Sequence, residues 1–79
     1  MDMAHIGPMI RFHRRKAGLS QEELGRFAEV GKTAVFDIEK GKQTVKLTTL
    51  MKLLAVLNIK VEFKGPLMAL FEEQLDEKS

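Results

Sequence analysis

The chain contains no cysteine. That excludes a disulfide framework and a thiolate metal site, and it fits a reducing compartment. No apolar run approaches the ~18 residues that a membrane span needs. The start, Met1-Asp2-Met3-Ala4-His5, lacks the basic segment and apolar stretch of a secretory signal. A cytoplasmic protein without membrane contact is therefore expected. Histidine is scarce too. His5 and His13 lack the i, i+4 spacing and the further ligands that zinc requires, so no metal site is expected. No Ser-His-Asp set, glycine-rich phosphate loop or paired-carboxylate cleft is present. Neither an enzyme, a cofactor nor a small-molecule ligand is expected. Met1, Met3, Met9, Met51 and Met68 are scattered packing and terminal residues, not a soft-metal cluster.

The 79 residues suffice for one domain near the lower limit of a self-sufficient core. A core that small, without staples, often gains stability by oligomerising. The net charge of +2 is unevenly placed. Residues 1–71 carry 12 Lys/Arg against 7 Asp/Glu, or +5, and residues 72–79 carry one lysine against four acids, or −3. A basic body with an acidic tail suits a polyanion-binding domain, although ordinary surface charge has the same look.

Ile6 to Ala17 reads as a first helix with Ile6, Ile10 and His13 on one face, Pro8 in the first turn and Gly18 as a left-handed stop. Ser20-Gln21-Glu22-Glu23 is a capping box opening a second helix to about Ala28, which buries Leu24, Phe27 and Ala28. Gly31 caps a third helix, Lys32 to about Lys40, with Val35 and Ile38 inward and Lys32, Thr33, Phe36 and Asp37 outward. Gly41 stops it, and 42–46 is a basic loop. A fourth helix from Leu47 to about Leu57 carries the stripe Leu47, Leu50, Leu53, Leu54, Leu57, and Asn58 ends it. Two short helices at the spacing found between Leu19 and Gly41 form a unit that can place one helix in the DNA major groove.

The period then changes. Ile59-Lys60-Val61-Glu62-Phe63 alternates apolar and charged residues, the pattern of a strand. A lone strand cannot satisfy its own peptide groups. Pairing with a second copy across a two-fold axis would do so, with Ile59, Val61 and Phe63 on the dimerising strand. The alternative is an extended linker. Gly65-Pro66 ends this segment. Leu67, Met68, Leu70, Phe71 and Leu75 allow a short amphipathic helix that docks on the dimer or another protein, or frays. The chain thus divides into a DNA-binding unit, 1–64, and a tail, 65–79.

Arg14-x-x-x-Gly18-Leu19-Ser20-Gln21-Glu22-Glu23-Leu24, followed by Val30-Gly31-Lys32-Thr33-Ala34-Val35-Phe36-Asp37-Ile38-Glu39-Lys40-Gly41, resembles the phage-repressor-like XRE helix-turn-helix family. Leu47-Thr48-Thr49-Leu50-Met51-Lys52-Leu53-Leu54 with Asn58 to Phe63 is similar to the last helix and strand of HipB-type antitoxins. The resemblance implies an all-α, lambda-repressor-like fold of four to five helices with one C-terminal strand pairing across a homodimer. It implies an inverted-repeat operator and a HipA-like kinase toxin as partner. It places Gln21 on a phosphate and makes Arg14 and Glu39 a structural ion pair between helices 1 and 3. Three positions depart from the pattern. Glu29 stands where the turn usually has glycine, His13 where helix 1 usually has an apolar residue, and Val45-Lys46 where Pro-Ser often precedes the last helix.

Within this unit Lys32, at the groove end of helix 3, can donate to guanine O6 and N7 or to a phosphate. Thr33 can meet a base edge, a thymine methyl or a phosphate. Phe36 can pack on a thymine methyl or fold back onto helix 2. Asp37 can accept from cytosine N4 or act as an orienting group. Gln21, Lys40, Lys42, Gln43, Thr44 and Lys46 are candidate phosphate contacts, whereas Arg11, Arg15, Lys16 and Arg26 read as solvent or partner surface. Leu67, Leu70 and Phe71 form a candidate partner-binding tail. The expected function is an antitoxin and autorepressor. A stand-alone XRE regulator, or an adaptor that kept the fold without DNA binding, are the alternatives.

Overall fold

A computed structural model describes residues 3–78; Met1, Asp2 and Ser79, and the side chains of Met3, Asp76, Glu77 and Lys78, lie outside the described residues. The described residues form five α-helices and no strand: α1 Met3–Lys16, α2 Gln21–Ala28, α3 Lys32–Glu39, α4 Leu47–Val56 and α5 Met68–Lys78. α3 packs on α1, α2 and α4, and α2 on α4, around Ile10, Leu24, Ala28, Val35, Ile38, Leu53 and Leu54. The core is wholly aliphatic, because all five phenylalanines lie at the surface.

The ends of α1 to α4 share one solution. The next-but-one amide reaches back five residues while the residue before it turns left-handed. Leu19 N–H donates to the Arg14 carbonyl (3.1 Å), Val30 N–H to Gly25 (2.8 Å), Lys42 N–H to Asp37 (3.0 Å) and Ile59 N–H to Leu54 (2.9 Å). The left-handed residues are Gly18 (φ 74°), Glu29 (φ 58°), Gly41 (φ 92°) and Asn58 (φ 58°). Leu19, Val30 and Ile59 fold back against the core from these turns. At the start of α2 the Ser20 hydroxyl accepts from Glu23 N–H at 3.0 Å, and Glu23 Oε1 accepts from Ser20 N–H at 2.9 Å, the full capping box. The Ser20 backbone bond, then its hydroxyl bond, holds the Glu23 carboxyl below the usual carboxylate range.

Four expectations need correction. The strand over Ile59, Val61 and Phe63 is not formed: 59–65 is irregular, the Ile59 amide already closes α4, and a single chain offers no second strand. α1 begins at Met3, so Pro8 lies inside the helix rather than in its first turn. Phe27 is 56 % exposed, because the inner face of α2 is formed by Leu24, Gly25 and Ala28. Leu47 is 68 % exposed, since the first residue of α4 overhangs the end of the core.

Candidate nucleic-acid interface

One buried node sets the position of α3. Arg14 Nε donates to Glu39 Oε2 at 2.6 Å, Arg14 Nη2 to Glu39 Oε1 at 3.0 Å, and Arg14 Nη1 to the Leu19 carbonyl at 2.8 Å. The side chains are 11 % and 3 % exposed. The bond to Glu39 first, and its negative charge besides, raise the Arg14 pKa further above its ordinary value against the opposing effect of burial. Gln21 Nε2 donates to Glu39 Oε1 at 3.1 Å, so the first residue of α2 joins the node. An amide nitrogen has two hydrogens, and the second remains for an anion. His13, on the same helix as Arg14, is bonded locally: its Nδ1 lies 2.7 Å from the Met9 carbonyl oxygen.

Two glycines that the sequence reading passed over are part of this frame. A Cβ on Gly7 would lie 2.5 Å from the Ile38 carbonyl oxygen and 2.7 Å from that of Glu39. α1 and the end of α3 therefore touch backbone to backbone. A Cβ on Gly25 would lie 2.9 Å from the Val30 carbonyl oxygen, inside the turn that joins α2 to α3. A glycine inside a helix was the available signal, since it costs helix stability unless something approaches closely.

Outward from the frame, Lys32 and Thr33 stand exposed on the first turn of α3. Gly31 caps that helix without a side-chain bond. Phe36 is 46 % exposed, so it is not folded back into the core. The Lys40 ammonium sits 5.4 Å from its ring centroid, a cation–π distance. Asp37 is drawn to one side by Lys42, with Nζ 3.5 Å from Oδ2. An exposed pair of this kind adds roughly 0–1 kcal/mol to stability, and it partly neutralises the Asp37 charge.

The other polar residues fall into two groups. Gln21, Phe36, Glu39 and Lys40 line a groove of about 370 Å³ together with Arg11 from α1. Arg11 thus stands beside the outer face of α3, which its place on helix 1 had not suggested. On the opposite flank Lys42, Thr44 and Lys46 surround Asp37 in a smaller hollow, and Gln43 is exposed in the same loop. Leu67, Leu70 and Phe71 lie apart from both groups, exposed at the start of α5.

A family model described as helix-turn-helix matches residues 10–64, from the middle of α1 into the irregular segment after α4. The chain belongs to the XRE-type helix-turn-helix family. It is similar to an uncharacterized HTH-type transcriptional regulator, y4mF, of Sinorhizobium fredii (strain NBRC 101917 / NGR234), with 32 % identity over 63 residues, 80 % of this chain and 83 % of that protein. It is also 34 % identical over 59 residues to HTH-type regulators of Sinorhizobium medicae (strain WSM419) and Rhizobium meliloti (strain 1021). Those matches cover 75 % of this chain and 42 % of each of those longer proteins. As an XRE-type protein the chain is a DNA-binding regulator, and α2 and α3 are its helix-turn-helix pair. No described helix is long and apolar enough to cross a membrane.

Proposed function

We propose that the protein is a transcriptional repressor that grips an inverted-repeat operator as a pair of chains, with α3 of each in the major groove. The observation that carries this reading is the outer face of α3. Lys32, Thr33 and Phe36 are exposed there, flanked by Gln21, Lys40 and Arg11 on one side and Lys42, Thr44 and Lys46 on the other. Lys32, Thr33 and Phe36 read base edges, and Asp37 orients Lys42. The flanking groups, with Gln43, hold phosphates and give register without reading sequence.

The irregular segment that carries Ile59, Val61 and Phe63 joins the two chains. The similarity of residues 47–63 to HipB-type antitoxins supports a finer assignment. The protein then represses its own operon and neutralises a HipA-like kinase toxin, with Leu67, Leu70 and Phe71 as the toxin-facing tail. A stand-alone regulator without a toxin shares the same DNA chemistry, and the names of the relatives above speak for it equally.

The test is binding of the purified protein to its own upstream DNA across a salt series. Two chains per inverted repeat, with log-log salt dependence and loss of preference in Lys32→Ala, is the expected result. Affinity no better than for random DNA would overturn the repressor reading. Deleting 65–79 is expected to weaken toxin capture and leave operator binding intact.

A further inference from the structure

Two of the surface phenylalanines carry a lysine one helical turn further on. The Lys16 ammonium lies 5.7 Å from the centroid of the Phe12 ring on α1, and that of Lys40 lies 5.4 Å from the Phe36 ring on α3. The i, i+4 spacing keeps each pair on one helix face. Phe12 is 58 % exposed, and its ring meets that of His13 edge-on, 5.5 Å between centroids. Pro8, Arg11, Phe12, Arg15 and Lys16 surround a hollow of about 630 Å³. Arg11 and Glu39 line both this hollow and the one beside Phe36 and Lys40. One groove therefore runs from α3, past Arg11, onto the outer face of α1.

The groove carries charge of one sign. From Met3 to Lys16, α1 contains no acid. The side chain of Glu39 is 3 % exposed and is already engaged by Arg14 and Gln21. Among the described residues neither Arg11 nor Arg15 has an ion-pair partner, and like charges at i, i+4 repel. An ordinary solvated helix face mixes signs, as α2 does with Glu22, Glu23 and Arg26.

We infer that this groove binds single-stranded nucleic acid, with bases stacked on Phe12 and Phe36 and phosphates held by Arg11, Arg15, Lys16 and Lys40. The pairing of ring with cation decides the ligand. A duplex keeps the faces of its bases stacked inside it, so it would use the cations and leave the Phe12 ring idle. An unpaired strand offers a π-face with every base and a negative charge with every link. Phe36 and Lys40 also belong to the operator-reading face proposed above. On that reading, strand and operator exclude one another, and single-stranded DNA or RNA releases the repressor.

The chain has no tryptophan and no tyrosine, so Phe12→Trp installs a lone fluorescent reporter in the groove. Labelled oligo(dT) and oligo(rU) are titrated with the full-length protein by fluorescence anisotropy. Saturable binding is expected, with a log-log salt slope of about −3 for four phosphates. Phe12→Ala and Phe12→Leu are expected to weaken it by about fivefold or more, whereas Phe12→Trp retains it and its emission is quenched. All three variants are expected to keep the parent circular dichroism spectrum and operator affinity, and operator duplex is expected to displace the oligonucleotide. Binding of only one oligonucleotide assigns the groove to DNA strands or to RNA strands. Absence of saturable binding to either, unquenched emission, or an affinity that survives Phe12→Ala would overturn the inference. So would random blunt duplex held as tightly as the single strands, which would give the groove to duplex phosphates instead. A protein that binds the strands but not its operator would overturn the repressor reading and leave this one standing.

Discussion

Glu29 offers the sharpest test of the frame. Four helices end in the same left-handed turn, and the residue at that turn is glycine twice, asparagine once and glutamate once. Glu29 adopts φ 58° and ψ 42°, a conformation that costs a non-glycine residue of order 1–3 kcal/mol. Replacing it by glycine removes that strain but returns about 0.5–1 kcal/mol through the freer unfolded chain. Loss of an acid at a helix C-terminus adds a few tenths in the same stabilising direction. The balance is a stabilisation of about 1 kcal/mol, or a rise in Tm of roughly 4–8 °C for a domain of this size.

Equilibrium unfolding in urea, followed by far-ultraviolet circular dichroism, measures it. Glu29→Gln, which removes the charge and keeps the strain, is expected to yield only the few tenths. Gly18→Ala is the mirror experiment: nothing lies within 4 Å of the added Cβ, so its loss of about 1 kcal/mol comes from φ alone. A Glu29→Gly protein that melts at or below the parent temperature would refute the strain argument.

Other expectations follow from the node and its rim. Arg14→Ala strands the buried Glu39 carboxylate and is expected to cost about 3–5 kcal/mol, read as a lower urea midpoint along with weaker DNA binding. Gly7→Ala pushes α1 off the end of α3; a loss of about 1–3 kcal/mol is expected, and chemical-shift changes should concentrate at Ile38 and Glu39. Arg11→Ala is expected to leave stability within ~0.5 kcal/mol and to lower the log-log salt slope of operator binding by about 1, without changing sequence preference. The Glu23 carboxyl, held below its ordinary value, contributes stability above the usual carboxylate pKa of about 4.3 and loses it as pH falls through its lowered value. Glu23→Gln should therefore flatten the acid limb of a urea-midpoint–pH profile, and an unchanged limb would count against it.

What was legible in the sequence is what local chemistry decides. Gly18, Ser20 with Glu23, Gly41 and Asn58 each mark a helix end by their own conformational or capping preference, and those boundaries lie within a residue or two of the observed ones. Phe27 was misplaced because α2 spans barely two turns, too few for an apolar residue to declare its face by periodicity. Gly7 and Arg11 depend on what stands across space, which spacing along the chain does not report. Residues 59–63 carry a strand pattern, yet within the single chain they stay irregular because no second strand lies beside them.

The division between frame and outer face has a consequence for how such a protein changes over time. Arg14, Glu39, Gln21 and Gly7 hold α3 by its inner side and its last turn, whereas Lys32, Thr33 and Phe36 are exposed. Substitutions at exposed sites of this kind typically alter stability by no more than about 0.5 kcal/mol. Under the proposed function, the DNA address is therefore transplantable. It can be rewritten one side chain at a time while the scaffold stays intact, and the frame residues are the ones that cannot follow.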